Sequence, residues 1–273
     1  MKQLTNTDLI LNNDGSIYHL GLHADQIYPT IITVGDPGRV DSVSKHFDFI
    51  DYTNQNREFK AVGGRIGNLS IMVLSTGIGT DNIDIVLNEL SMLINYDMST
   101  RIRLQNQKSI SLIRLGTSGS IHPSIPLDSI VYSKNAIALD NLLTYYNHSF
   151  DLIEFKGMQL PVIPCSSKLE TIFQLYKPSL TMTACGFYGP QFRPSQLSQK
   201  FSLSDCNSID FNGNQPGNIE METAGIYGLS KLLGFEAISL NAILADRRTG
   251  EFSKKPQQMI DKMIKEALDI LCY

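Results

Sequence analysis

An arginine lies inside an apolar run. Ile110-Ser111-Leu112-Ile113-Arg114-Leu115 reads as a buried strand, and Gly116-Thr117-Ser118-Gly119 follows it as a glycine-bounded turn. A guanidinium does not give up its proton, so burying Arg114 is costly unless an anion or a carboxylate meets it. The two hydroxyls sit between glycines that let the backbone approach a ligand. In a parallel α/β sheet, ligands collect at the carboxyl ends of strands, which is where this turn would lie. Arg114 therefore has two uses open to it, as half of an oxyanion site or as one side of a structural salt bridge.

The same unit recurs along the chain. Thr30-Ile31-Ile32-Thr33-Val34 is a strand, Gly35-Asp36-Pro37-Gly38-Arg39 a turn, and Val40, Val43 and Phe47 the apolar spacing of a helix. A strand, a glycine turn and a helix start can hold a phosphate through backbone N–H groups and the helix dipole. The motif is neither a dinucleotide fingerprint nor a Walker loop. Leu69–Leu74 is another strand, paired to the run before it across a Gly67-Asn68 hairpin. It leads through Ser75-Thr76-Gly77-Ile78-Gly79 into an amphipathic helix with Ile83, Val86, Leu87, Leu90 and Ile94 on one face. Residues 96–109 read as a solvated loop, 128–139 as two short strands, and 167–176 as a helix that stops before Pro178. No pattern stands out over 141–160, and 202–217 has the composition of a flexible loop or lid. Asn218-Ile219-Glu220-Met221-Glu222 reads as the first turn of a helix ended by Gly234, where the dipole favours glutamates. Residues 236–244 form a long strand, and the last helix runs from about Pro256 to Leu271.

The loop Phe187-Tyr188-Gly189-Pro190-Gln191-Phe192-Arg193 combines aromatics, an amide and a guanidinium. It suits stacking on a flat ring and bonding to its edge, or equally filling the edge of the core. Near the N-terminus, Tyr18-His19-Leu20-Gly21-Leu22 is an apolar island in a polar arm, fit to pack on this chain or on a neighbouring subunit.

Composition excludes several classes. A net charge of -4 and a pI near 5.7 leave no dominant basic surface for nucleic acid. No stretch nears the roughly 20 apolar residues that span a bilayer, and the polar start is not a signal peptide. Cys165, Cys185, Cys206 and Cys272 are scattered without a CxxC pair, and the five histidines make no zinc signature. Free thiols in a reducing cytoplasm follow.

With strand ends carrying Arg39, Arg114 with Thr117, Gln191 with Arg193, and Arg247, the chain resembles the nucleoside phosphorylase family, most closely its uridine phosphorylase branch. The blocks that carry the resemblance are His-Leu-Gly-Leu from His19, Gly-Asp-Pro-x-Arg from Gly35, Ser-Thr-Gly-Ile-Gly from Ser75, Arg-x-Gly-Thr-Ser-Gly from Arg114 and Ile-Glu-Met-Glu from Ile219. The resemblance implies a single α/β domain over 1–273, with a mixed, distorted central sheet flanked by helices and residues 1–17 as a polar N-terminal arm. It implies phosphate ligands at Gly35, Arg39, Arg114 and Thr117, with Arg57 reaching the same phosphate from a neighbouring subunit. His19 would cross the interface to the ribose 5′-hydroxyl. Met221 and Glu222 would form the ribose floor, and Phe187, Gln191, Arg193, Arg247 and Asp246 would surround the base. The implied assembly is a homodimer or hexamer with shared active sites, located in the cytoplasm. Nucleoside and inorganic phosphate would be the substrates, with no cofactor, metal, nucleic acid or membrane involved.

The implied reaction, reversible phosphorolysis of uridine to uracil and ribose 1-phosphate in pyrimidine salvage, agrees with these residue types. Arginines hold a phosphate dianion as nucleophile, while Arg193 and Arg247 face the negative charge of the departing base. Asp246 lies near the position of the proton-donating aspartate in purine-specific relatives, so purine nucleoside phosphorolysis is the alternative, beside a non-catalytic nucleoside-binding protein of the same fold. Gly186 stands where many relatives carry an acid or a small polar residue.

Overall fold

Short β-branched runs alternate with segments of helical period, and a computed structural model of the protein, describing residues 3–272, folds them into one mixed sheet with helices packed on it. Met1, Lys2 and Tyr273, the two ends of the expected domain, lie outside the described residues. The strands and helices, in order, are β1 (Thr30–Val34), α1 (Pro37–Ser44), β2 (Phe49–Asn56), β3 (Phe59–Ile66), β4 (Leu69–Ser75), α2 (Thr80–Asn95), β5 (Ser111–Ser120) and β6 (Ile130–Leu139). After these come β7 (Asp151–Phe155), β8 (Met158–Pro164), α3 (Ser167–Phe173), β9 (Lys177–Ala184), β10 (Pro216–Glu220), α4 (Thr223–Leu233), β11 (Glu236–Asp246), β12 (Glu251–Phe252) and α5 (Pro256–Cys272).

β5 is the hub. Its first half pairs with β1 and its last residues with β10, while its other edge runs parallel to β11 along its whole length. Because β10 pairs with β9, β9 with β6 and β6 with β11, these strands close into a ring; β1, β4, β3 and β2 extend from it as an open wing. α5 packs on β11 through a stripe of Met259, Met263, Ile264, Ala267 and Leu268, all buried, at the spacing of one helix face. α2 buries the predicted face, Ile83, Val86, Leu87, Leu90 and Ile94, and packs against α4.

Several expectations change. The turn predicted at Gly116 is absent; β5 continues through Gly-Thr-Ser-Gly to Ser120, because β11 supplies a ladder along that length. Residues 128–139 form one strand rather than two. The patternless segment holds most of the β7–β8 hairpin, and the supposed lid holds a 3-10 helix (Leu203–Ser208) and the first two residues of β10. Asn218, Ile219 and Glu220 belong to β10, so helix α4 starts four or five residues later than its sequence suggests, with Glu222 as N-cap. The N-terminal arm is polar in composition but anchored: Leu9, Ile17, Leu20 and Leu22 are fully buried in the main core. The loop after α2 holds it, since Leu4 N donates to the Arg101 carbonyl at 3.1 Å and Arg101 Nε donates to the Leu9 carbonyl at 3.3 Å.

The wing leaves no room on β3. A Cβ on Gly64 would lie 2.1 Å from the Phe49 carbonyl oxygen of β2, a backbone atom that cannot swing away. Gly64→Ala is expected to lower the midpoint of thermal unfolding, read by calorimetry, by about 2–5 °C, as overpacking of this kind costs about 1–3 kcal/mol.

Candidate active site

The carboxyl ends of β1, β5, β10 and β11 and the loop after β9 surround a cavity of about 330 Å³. Gly35, Arg39, Arg114, Thr117, Phe187, Gln191, Arg193, Met221 and Glu222 all line it. Residues separated by almost the whole chain therefore meet: β1, β5 and β11 run parallel and end on the same side, and β10 joins them antiparallel to the end of β5.

Arg114 is the deepest cation, 7% exposed. Its guanidinium turns back along β5 and lies over Gly116, where a Cβ would fall 2.0 Å from Nη1; the glycine is needed for this close approach, not for a turn. Nη2 donates to Glu222 Oε2 at 2.5 Å and lies 3.0 Å from Glu220 Oε2, and Nη1 donates to Asn241 Oδ1 at 3.1 Å and Ser239 Oγ at 3.3 Å. Both uses weighed for this arginine are thus present, a buried salt bridge and a side chain on the cavity wall. Burial works against its charge, but Glu220 and Glu222 together hold its pKa above the ordinary arginine value.

The two glutamates divide the work. Glu220 accepts from Thr183 Oγ1 and from the backbone N–H groups of Glu222 and Thr223, so its carboxylate sits against the positive end of α4. Glu222 accepts from Gly79 N at 2.8 Å through Oε1 and from Arg114 through Oε2. Burial raises the Glu222 pKa against the pull of Arg114. Glu220 does not stand out in the sequence, where 218–222 reads as a helix turn; the structure puts it at the end of β10. Acids two apart share one side of an extended segment, and that spacing was the available signal.

Arg39 sits across the cavity. The Asp36 carboxylate caps α1 and lies 3.2 Å from Arg39 Nη2, while Nη1 donates to the Leu115 carbonyl. Burial lowers its pKa, which marks a guanidinium short of solvent and favourable to a further anion. At the other end, Gln191 is buried, and Arg193 Cζ stands 3.9 Å above the Phe187 ring while its Nε donates to the Phe187 carbonyl. An amide, a guanidinium and an aromatic face are thus offered at one place.

Two residues assigned to the base by resemblance do not line the cavity. Arg247 lies behind Gln191, donating to its carbonyl at 3.0 Å; burial, then Arg193, brings its pKa down to about 10, and its Nη1 is buried without a partner. Asp246 faces Arg248, which bonds both its oxygens at 3.1 and 2.5 Å. Burial would raise this carboxyl, but hydrogen bonds from Arg248 hold it below the usual range, so it is ionised and occupied. His19 and Arg57 are likewise absent from the cavity wall. They share a patch elsewhere: the Arg57 guanidinium is 5.4 Å from the Tyr18 ring, and Asn56 Nδ2 donates to the Tyr18 and His19 carbonyls. Arg57 adopts φ 56°, a left-handed conformation that non-glycine residues hold at a cost.

Behind Glu220, Asp140 is mostly buried with one oxygen, Oδ2, unpartnered. Burial, reinforced by Glu220 and Asp81, raises its pKa to about 6. A carboxyl raised in the folded state favours folding below its unfolded pKa, and that advantage is lost as pH climbs through about 6. Asp140→Asn, which keeps the neutral form at every pH, is expected to raise the unfolding midpoint at pH 7.5 by about 2–4 °C. The gain should vanish near pH 4, as calorimetry at the two pH values would show.

The sequence pattern of the Phosphorylase superfamily matches residues 29–272. A curated protein of Thermococcus kodakarensis named uridine phosphorylase is 26% identical over 260 residues, covering 94% of this chain and 87% of its own. A Buchnera aphidicola protein named purine nucleoside phosphorylase DeoD-type is 24% identical over 257 residues, covering 92% and 97%. Among solved structures, the Trypanosoma brucei nucleoside phosphorylase, described as showing uridine phosphorylase activity, superposes with a TM-score of 0.84 at 28% identity, over 96% of this chain and 99% of that one.

Proposed function

The chain belongs to the phosphorylase superfamily, and from that premise we propose that it is a uridine phosphorylase, converting uridine and inorganic phosphate reversibly to uracil and ribose 1-phosphate. The observation that carries this reading is that one cavity gathers Arg39, Arg114 and Thr117, then Met221 with Glu222, and an aromatic face, an amide and a guanidinium in Phe187, Gln191 and Arg193.

Phosphate enters beside Arg39 and Arg114, with the dianion drawing Nη atoms of Arg114 away from Glu222. The freed Glu222 oxygen accepts from a ribose hydroxyl, which fixes the sugar face-on to the phosphate. A phosphate oxygen forms the bond to C1′ as the bond from C1′ to the base nitrogen breaks, and the base leaves with the electron pair. Gln191 and Arg193 bond the carbonyl edge on which that charge collects, stabilising it where it develops. Proton uptake then yields uracil. No protein atom forms a covalent bond, so the contribution is positioning and charge complementarity.

Within the floor, Arg39 and Arg114 face Asp36, Glu220 and Glu222, two positive charges against three negative. A dianion needs more, and Arg57 of a second copy supplies it in this reading. His19 and Arg57 share a surface patch away from their own chain's cavity, which supports donation of both across a dimer or hexamer interface. No helix among the described residues is long and apolar enough to cross a membrane, and we place the enzyme in the cytoplasm. The purine alternative needs a proton donor at the base, and Asp246, ionised and held by Arg248, does not supply one.

Purified protein should release uracil from uridine only with phosphate or arsenate, and should prefer uridine to inosine; equal release without phosphate, or a preference for inosine, contradicts the proposal. Arg114→Ala should lower kcat/KM by about 10²–10³-fold per folded molecule, the scale for losing one preorganised donor. Lys108→Ala, in the distant loop, should change it little.

A further inference from the structure

A glutamate in the middle of an otherwise apolar helix face is out of place unless something meets it. Glu89 on α2 is 8% exposed, one turn from Val86 and adjacent to Leu90 on the stripe that faces the core. Its partners all come from the N-terminal arm. Oε1 lies 2.6 Å from His19 Nδ1 and accepts from His19 N at 3.1 Å; Oε2 accepts from Leu20 N at 2.9 Å. A buried carboxylate loses much of its solvation, and it is retained where several N–H groups compensate. Two backbone amides would anchor the arm. The contact to the ring does something else.

We propose that Glu89 is a positioning residue for His19: it fixes the ring hydrogen on Nδ1 and aims Nε2 outward at the 5′-hydroxyl of a nucleoside bound in the neighbouring copy. This rests on the reading of His19 given above. A carboxylate only accepts, so the nitrogen facing it must be the donor, and a neutral ring then carries its lone pair on Nε2. The side chain is 27% exposed, and the Tyr18 ring meets it edge-on at 4.7 Å, so the imidazole is held between Glu89 and Tyr18. The backbone is fixed too, by Asn56 Nδ2 on the His19 carbonyl and by Gly21 N on the Ile17 carbonyl. Nε2 is the one ring atom left to a ligand, and it accepts a hydroxyl hydrogen.

The test compares uridine with 5′-deoxyuridine, which lacks that hydroxyl, in wild type, Glu89→Gln, Glu89→Asp, His19→Ala and the Glu89→Gln/His19→Ala double variant. The expected result is a fall of about tenfold or more in kcat/KM for uridine in Glu89→Gln, chiefly through KM, with 5′-deoxyuridine unaffected. The double variant should be no worse than His19→Ala, because the two act as a unit. Nitrogen NMR of the imidazole should report Nδ1–H in the wild type and a mixture or Nε2–H in Glu89→Gln. Glu89→Asp keeps the charge but withdraws it by one carbon, and should fall between the two. If Glu89→Gln leaves the uridine to 5′-deoxyuridine ratio at the wild-type value while His19→Ala abolishes it, Glu89 only anchors the arm and the proposal is wrong. If His19→Ala also leaves the ratio unchanged, the role of His19 itself is wrong and the proposal falls with it. Thermal midpoints separate either outcome from a variant that does not fold.

Discussion

The contact between Arg114 and the paired glutamates at the end of β10 governs this molecule. A guanidinium with its counter-charges removed would be intolerable at that depth, and breaking such a buried pair by deleting one partner costs about 3–5 kcal/mol, a large share of a total stability of about 5–15 kcal/mol. The strands that meet there are therefore tied to one another by charge as well as by ladder hydrogen bonds. Asn241 on β11 and Asn218 on β10, both fully buried, extend the polar layer: Asn241 Nδ2 bonds Ser133 Oγ, Ser133 bonds Thr181, and Thr181 and Ser179 bond Asn218, which donates to Ser118 on the cavity wall. The network runs around the strand ring and returns to the site.

That network holds the strand ends of the site in one shape, while the loop after β9 adds Phe187, Gln191 and Arg193 to it. Each polar group in it has a partner within the sheet, so moving one requires moving the others. Outside it, Thr33 Oγ1, Asp140 Oδ2, Ser230 Oγ and Arg247 Nη1 are buried without a partner among the described residues, and Arg247 lies directly behind Gln191. Polar atoms left unsatisfied near a binding site are where stability has been given up for something else.

Part of this was legible from the chain alone. A cation in an apolar strand has few explanations, which singles out Arg114, and Arg39 follows from the strand–glycine–helix pattern, whereas the roles given to Gly35, Thr117, Glu222 and the base loop come from the family resemblance. What misled was local chemistry overruled by distant pairing. Gly116 reads as a turn residue, yet it serves to let a side chain two positions back fold over the strand. Glu220 reads as a helix-start acid, yet β9 captures it into the sheet. Asp246 has a neighbour two residues on, Arg248, that decides its charge and direction, and no periodicity rule reports such a pairing. Glu89 left a fainter trace, an acid on a helix stripe, whose meaning needed the arm 70 residues earlier.

The anchoring of the N-terminal arm has a consequence for how the chain acquires its structure. During synthesis the segment bearing His19 leaves the ribosome well before its supports, Glu89 on α2 and the Arg101 loop, have been made. Leu9, Ile17, Leu20 and Leu22 share a core with β1 to β4, and Asn54 and Asn56 of β2 bond the Leu20, Tyr18 and His19 carbonyls, so the wing meets the arm first while the His19 ring waits for Glu89. Seating of His19 against Glu89 is in this sense a late event of maturation, so anything fused ahead of the arm that blocks it would leave a folded body whose Glu89 carboxylate is buried without its partners.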